Sequence, residues 1–528
     1  MKKQKKLAAR LYDAIFPPKT SGRHKREYAG AKRNRLNADW VSWPRSANWE
    51  LRMSVPQLRA RARQMCNDAP YFKKFLRMCR TNVIGPKGLQ LMVRAYMPDG
   101  KTLNADLNKR VQDAFWEWGF KENCSVTGKL NWLAAQRLFV THLIRDGETL
   151  VQKVAAGPFG FALKFWNVDY LDEQWNTIHT NGNRVIMSVE IDDTDRPVAY
   201  WLRTPPSDVQ FSVKRQVIRI RVPAEQMIHA FLVNEDESQV RGVTAFHAVL
   251  LGGRNLFAYN GAVLDSAKMM AMSGGFFKKT DADETTFDGE IDETTGREKD
   301  IEIDFSPASF HILPDGFEFQ QFDPKQPQQQ FVEFVKQITS EIAAGLDLPY
   351  FSLAGDMKAV NYSSAHVGQA DERDVYRELQ DFVSDMFCRE VYHDFLPAAV
   401  LNGKLKLSPK EFQQVQNPKW QPRGWDYVNP QDEINADVLA LQNNLATMTD
   451  TLAERGIDIR EHFETIQQER ELAKEYDIEL VYTSKTTVAD TGGNPDADVE
   501  TTPAEEPAAA APAKRALTNG HNFEHIEQ

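Results

Sequence analysis

Apolar positions recur at helical spacing in several separate stretches of the chain, with alternating stretches between them. Residues 54–80 read as helix, and Val83-Ile84-Gly85-Pro86 stops it; strand-like alternation follows from Leu89 to Val93. Residues 104–121 carry Leu107, Val111, Phe115, Trp116 and Trp118 on an amphipathic stretch. Residues 130–146 do the same with Trp132, Leu133, Leu138, Phe139 and Ile144. Asp146-Gly147 is a turn into the strand Glu148–Val154. From 160 to 233 the pattern is short strands: Phe161–Phe165, Arg184–Ile191, Ala199–Arg203, Val217–Val222 and Met227–Phe231. The region from about 46 to 235 is therefore predicted to be an α+β module.

Beyond Arg241-Gly242-Val243 the pattern turns helical. Residues 244–273 contain no proline and can form one helix of about 45 Å. Each of its glycines, Gly252, Gly253 and Gly261, costs up to about 1 kcal/mol relative to alanine, which predicts close packing against other helices. Strand-like patches follow at 301–305 and 309–322, with Asp315-Gly316 as a hairpin turn between Phe310–Leu313 and Phe317–Phe319. After Pro327, a second helix carries Phe331, Phe334, Val335, Ile338, Ile342 and Leu346, ending between Gly345 and Pro349. Residues 350–362 read as a loop. Ser363 or Ser364 then caps a third helix reaching about Phe395, with Val375, Leu379, Phe382, Val383, Met386, Phe387 and Val391 on its stripe. Asn429, Pro430 and Glu433 open a helix over 430–455, broken at Gly456, and another spans about 458–476. The tail from 485 is rich in Thr, Pro, Ala, Gly and Glu and is expected to be disordered.

Length and charge sharpen this picture. The 528 residues suggest two to four domains, and 42% hydrophobic with 26% charged residues suits a mostly globular chain. No run of about 18 apolar residues exists, so no membrane-spanning helix is expected. The basic start has no apolar stretch after it, so no secretory signal is expected either. The net charge of −10 is unevenly spread: residues 1–36 carry +10, residues 281–304 carry −9 and residues 486–528 carry −6. Residues 1–45 read as a basic flexible arm, in which Leu7, Leu11 and Ile15 could line one face of a short helix; a solvated arm and contact with nucleic acid or an acidic partner are both open. Cys66, Cys79, Cys124 and Cys388 form no C-x-x-C pair and read as buried free thiols.

Catalytic patterns are scarce. There is no G-x-x-x-x-G-K-[ST] phosphate loop and no G-x-S-x-G elbow. His521 to His525 fits H-x-x-E-H but lies in the tail with no core around it. The 281–304 cluster has carboxylates enough for a metal-dependent nuclease, but they are spread over a polar segment, which favours a solvated acidic surface where a partner with a basic rim could dock. Trp116, Trp118, Trp132, Trp166, Trp175 and Trp201 are interleaved with apolar residues and read as core. No catalytic residue, cofactor or metal is expected.

The order of several short motifs resembles the lambda-like family of tailed-bacteriophage portal proteins over roughly residues 46–480. Tyr71 to Gly85 looks like the family's early helix ending in Val/Ile-Gly, Asp146-Gly147-Glu148 like its D-G-E turn, and Arg196 to Trp201 like its x-P-V-A-Y-W strand. Arg241-Gly242-Val243 resembles the R-G-V/I that opens a long helix. Glu341 to Pro349, then Asn361-Tyr362-Ser363-Ser364, is similar to I-A-A-x-x-x-[VL]-P and the following Y-S-[ST] helix start.

The resemblance implies a mainly helical α+β, elongated subunit assembled as a ring, usually a dodecamer, at one capsid vertex of the virion, with genomic DNA passing through its axis during packaging and ejection. It divides the chain into the arm (1–45), a wing (46–243), a first stem helix (244–274), an acidic clip (275–326) and a second stem helix (327–349). A tunnel loop (350–362), a long helix returning to the wing (363–428), crown helices (429–480) and the tail (481–528) complete it. Implied partners are further copies of itself, the major capsid protein, the terminase large subunit, the head–tail connector and double-stranded DNA in transit, with no membrane. Assembly would take place in the host cytoplasm. Met357, Lys358 and Asn361 would face the channel, and Asp288, Glu290, Asp292 and Glu293 would form the clip's docking surface. Two alternatives stay open: a metal-dependent phage nuclease, and a capsid scaffold that never meets DNA.

Overall fold

The computed structural model describes residues 35, 43–97, 103–204, 218–271, 275–279, 317–321, 328–358, 361–425, 430–455 and 457–478. The chain divides into two units, residues 1–462 and 463–528. The described part is mainly helical α+β.

The first helical stretch is two helices, α1 (Ala47–Asp68) and α2 (Pro70–Cys79). Pro70 explains the break: it disfavours helical geometry in the residue before it, and Ala69 is extended at φ −101°. A π turn, Arg80–Ile84, then ends at Gly85, whose φ is +70°. β1 (Gln90–Met92) pairs with a distant strand, Lys419–Gln421. Helices α3 (Ala105–Trp118) and α4 (Trp132–Asp146) each start at an asparagine whose side chain accepts a backbone N–H, Asn104 from Leu107 and Asn131 from Ala134.

Two antiparallel sheets follow. β2 (Glu148–Val154) lies between β3 (Ala162–Trp166) and β9 (Met227–Phe231). The other sheet runs in sequence order: β4 (Thr177–Ile178), β5 (Arg184–Ile186), β6 (Val189–Ile191), β7 (Pro197–Thr204) and β8 (Ile218–Pro223). The single strand expected over Arg184–Ile191 is thus a tight hairpin. Met187 and Ser188 turn it with φ of 48° and 69°, held by Asn176 Oδ1 accepting from the Met187 N–H and Ser188 Oγ donating to the Asp172 carbonyl. Neither residue is a glycine, asparagine or aspartate, so the usual turn signal is missing.

The larger core gathers Phe115, Trp118, Phe139, Phe387 and Phe395, with the Phe139 and Phe387 rings stacked 4.4 Å apart. A smaller core packs Leu51 and Val55 of α1 against Met187, Val189, Tyr200 and Leu202. Trp118 is fully buried, but Trp116 is 71% exposed and its ring lies against Phe120, itself exposed, which corrects the expectation that it is core. All four cysteines are free and buried.

The long helices come next: α5 (Leu250–Ala271) and α6 (Gln328–Ala344). α5 starts six residues later than expected, after turns at 245–249. Between them, β10 (Gly275–Lys279) pairs antiparallel with β11 (Phe317–Gln321), Phe277 opposite Phe319. The expected hairpin partner Phe310–Leu313 and the turn Asp315-Gly316 lie outside the described residues. A short helix α7 (Tyr350–Ala354) follows, then α8 (Tyr362–Val383), a π turn (Ser384–Arg389) and α9 (Glu390–Leu401). The π turn carries two adjacent core residues, Phe387 and Cys388, both fully buried. After α10 (Pro409–Gln414) and β12 (Lys419–Gln421), the stretch expected as one helix over 430–455 is α11 (Pro430–Gln442) and α12 (Met448–Glu454). Asn444 at φ 55° ends the first, and the Thr447 side chain caps the second by accepting from the Asp450 N–H. Ile459–Glu475 is the last described helix, α13.

Candidate functional site

The two motifs Asp146-Gly147-Glu148 and Arg241-Gly242-Val243 meet at the root of α5. Glu148 and Arg241 are both fully buried, and they form a two-point ion pair: Arg241 Nη2 lies 2.6 Å from Glu148 Oε1 and Nε 2.8 Å from Oε2. Glu148 Oε2 also faces His229 Nε2 at 2.9 Å and accepts the Gly242 N–H at 3.2 Å. Arg59 from α1, also buried, bonds Asp169 Oδ1 at 2.6 Å and Glu173, while Arg241 Nη2 reaches the same Glu173 carboxylate at 3.3 Å. Arg63 bridges Asp146 and Asp169. Burial alone would raise the Glu148 carboxyl, but the Arg241 guanidinium and the His229 bond outweigh it and hold it well below the usual range.

The glycines of the two motifs are packed backbone against backbone. A Cβ on Gly147, whose φ is +88°, would lie 2.3 Å from the Val243 carbonyl carbon. One on Gly242 would lie 2.1 Å from the Gly147 carbonyl oxygen. The Ala245 N–H and the Thr244 hydroxyl both donate to the Ile144 carbonyl, at 3.1 and 3.2 Å. The start of α5 is therefore tied to the end of α4 and the start of β2 by charge, backbone bonds and contact. Sequence reading missed the Glu148–Arg241 partnership. The available signal was a charged residue at each motif's end beside apolar strands.

From that root, α5 and α6 run together. Gly253 lets the Phe72 ring pack against the helix, since a Cβ there would meet it at 2.3 Å. Gly345, just past α6, does the same for Val249 at 2.5 Å. Leu256 and Ile342 are buried, and Tyr259 meets the rings of Phe331 and Phe334 at 5.7 and 5.3 Å. The other faces carry large apolar groups in solvent: Leu251 69%, Phe257 51%, Leu264 57% and Val332 65% exposed. Gly252 and Gly261 have nothing among the described residues within 4 Å of where a Cβ would stand. The predicted close packing holds for Gly253 and is not made by these two within the chain.

The stretch expected as the loop 350–362 is helical over α7. Pro349 precedes that helix, Leu353 buries in the core, and Gly355 ends it at φ +75°. Ser352 Oγ and Tyr376 OH both donate to the Glu372 carboxylate, at 2.5 and 2.9 Å, and the Phe351 ring sits where a Cβ on Gly368 would meet it at 3.0 Å. The described residues between α7 and α8 are Gly355–Lys358 and Asn361. Met357 is 58% exposed and Lys358 is exposed, its N–H donating to Asp356 Oδ1 at 3.1 Å. Asn361, not Ser363 or Ser364, caps α8: its Oδ1 accepts from the Ser364 N–H at 2.8 Å. A free side-chain amide is the better cap here because its carbonyl oxygen reaches the third N–H of the helix. Met357, Lys358 and Asn361 thus all lie between α7 and α8. Asp288, Glu290, Asp292 and Glu293 lie outside the described residues, as does His521–His525.

Among the described residues no three His, Cys, Asp or Glu side chains group as a metal would need, and no helix is long and apolar enough to cross a membrane. Burial pushes the Cys66 and Cys124 thiols up to about 12, which suits packing rather than nucleophilic chemistry.

Comparison with known proteins gives matching results. A family described as phage portal protein, lambda family, matches residues 33–380. A probable portal protein of Halomonas phage phiHAP-1 is 31% identical over 477 residues, which cover 88% of this chain and 91% of that protein. Among solved structures, the neck of an empty GTA particle has a chain with TM-score 0.43 and 13% identity, covering 76% of this chain and 93% of its own. An HK97-family phage portal protein from Corynebacterium diphtheriae has TM-score 0.28 and 9% identity, covering 56% of this chain and 79% of its own. The two sequence matches, one along two thirds of the chain and one along nearly all of it, settle the family: this protein belongs to the lambda family of phage portal proteins, a structural and not an enzymatic family.

Proposed function

We propose that copies of this portal chain close into a ring at one capsid vertex of the virion and that genomic DNA moves through the ring's axis. The observation that carries this reading is the set of large apolar side chains in solvent on α5 and α6, Leu251, Phe257, Leu264 and Val332, on helices whose roots are fixed. Exposed apolar stripes of this kind mark association surfaces, and repeated head-to-tail contact between copies gives a closed ring. In this reading 46–243 is the wing and meets the major capsid protein, α5 and α6 form the stem, and 429–480 is the crown. Residues 275–326 are the clip, with Asp288, Glu290, Asp292 and Glu293 docking the terminase large subunit and later the head–tail connector. Met357, Lys358 and Asn361 stand on the tunnel loop and touch DNA weakly, so that it slides. Assembly proceeds in the host cytoplasm.

Mass photometry and negative-stain imaging test the ring. Wild type should give closed particles of many times 60.2 kDa, about twelve subunits by family precedent. The pair L264K and V332K should leave the subunit folded by circular dichroism but abolish the rings. Wild-type protein that stays monomeric at every concentration and salt would overturn the proposal.

A further inference from the structure

One arginine cluster is used neither by the ionic root nor by the stem. Arg373, Arg377 and Arg423 all converge on the Trp425 ring, with their guanidinium carbons 5.9, 5.6 and 5.6 Å from its centroid. The indole is itself fixed, donating from Nε1 to Asn82 Oδ1 at 3.3 Å. Arg423 is pinned by bonds to the Thr81 and Gly424 carbonyls, both 2.9 Å, and its side-chain stem packs where a Cβ on Gly85 would meet it at 2.9 Å. Arg137 donates to the carbonyl of that same Gly85 at 2.9 Å, and with Arg80 it lines a surface depression of about 460 Å³ beside Asn131 and Thr141.

Helix geometry makes this face basic. Arg373, Arg377 and Gln380 recur at i, i+4 and i+7 on α8, and Gln380 donates to the Asn82 and Arg423 carbonyls, so this stripe faces the Arg80–Gly85 turn. Asp371 and Glu378 fall on other faces of the same helix, while Asp374 and Asp381, three residues before and four after Arg377, flank the edge of the stripe. Arg377 pairs with Asp374 at 2.6 Å on the rim, both side chains more than half exposed, and Arg373 has no carboxylate partner among the described residues. Like charges drawn to one ring repel each other, and the repulsion is relieved when an anion joins them.

We infer that this Arg–Trp face is a sequence-independent contact for the phosphate backbone of double-stranded DNA. Arg423 is held by carbonyls, and the indole gathers Arg373 and Arg377 beside it, while duplex DNA presents a charge about every 1.7 Å along its axis. The inference rests on the conduit reading for the presence of DNA. It adds a contact on the body of the subunit, apart from the tunnel loop.

The test uses the full assembled chain and a labelled duplex of about 40 base pairs of arbitrary sequence. R373E/R377E should weaken binding at least about tenfold at low salt and lower the salt slope by about two, while R373K/R377K stays within about threefold of wild type. The basic arm contributes equally to all three proteins, so the difference reports this face. In parallel, phenylglyoxal modification of Arg373 and Arg377 in wild type should slow when the duplex is added. That measurement decides if the double variant does not assemble. Unchanged affinity in an assembled R373E/R377E, or no protection by the duplex, overturns the inference. Protection by a peptide of residues 281–304 at lower concentration than by DNA also overturns it, assigning the face to a contact between copies. Rings that cross-link to DNA through Lys358 while this face stays inert leave the conduit standing without it; absent rings defeat the conduit reading itself.

Discussion

Gly253 and Gly261 sit on the same helix, and their surroundings are opposite. At Gly253 the helix is pressed against Phe72, and its neighbours Val249 and Leu256 are buried. At Gly261 no described residue approaches, and Phe257 and Leu264 stand in solvent. The root of the helix is completed by its own chain, through the Glu148–Arg241 pair and the glycine contacts below it. Among the described residues the far part is not. In the proposed ring another copy would cover it, so stability of the subunit and assembly of the ring should respond to different substitutions.

The largest expected effect lies at the root. Arg241→Ala leaves Glu148 buried without its main partner and should cost about 3–5 kcal/mol in urea unfolding. A change near zero would mean the ionic root does not hold α5. Removing both charges, with Glu148→Gln and Arg241→Met, should cost less than the single change, because no charge is stranded.

Acid is the next probe. Burial raises the Asp146, Glu148 and Asp169 carboxyls, yet their arginine partners win and all three lie below the ordinary range. The Arg221 bond holds Glu190 at about 2. Each group therefore stabilises the fold above its unfolded pKa and loses that contribution as pH falls through its folded one, because the unfolded chain binds more protons there. Melting temperature should fall as pH drops below about 4.5 toward 2, and more gently in the doubly neutralised variant. A flat profile in wild type would contradict the assignment.

Gly253→Ala should cost about 1–3 kcal/mol, since Phe72 must shift to admit a methyl group. Gly261→Ala is the smallest and the most discriminating change. It should stabilise the isolated subunit by up to about 1 kcal/mol through helix propensity, and yet weaken ring formation if a neighbour packs on that face. Equal behaviour of the two alanine variants in both unfolding and imaging would erase the distinction between root and far end.

Much of the fold was legible from periodicity. Helices α3 and α4, strand β2 and the pair α5 and α6 all fall where the apolar spacing puts them. Two of the misses share a cause: local patterning was overridden by contacts distant in sequence. The Met187–Ser188 turn is fixed by Asn176 and Asp172, and α7 forms because Ser352 and Phe351 dock on α8. Trp116 looked like core because it sits among apolar residues, but a helix turns adjacent positions about 100° apart, so Trp118 took the inner face.

The sequence by itself determined the alternation of helix and strand, the three blocks of charge, the lack of a phosphate loop and the ordered motifs that mark the portal family. Those properties are carried by residue type and spacing along the chain. Only the tertiary structure decided that Glu148 and Arg241, 93 residues apart, are one buried pair, and that Arg373, Arg377 and Arg423 meet on one indole. Spacing reveals which face of an element is apolar or charged. Which distant residues meet it depends on how the elements pack, because burial and Coulomb attraction act through space and not along the sequence.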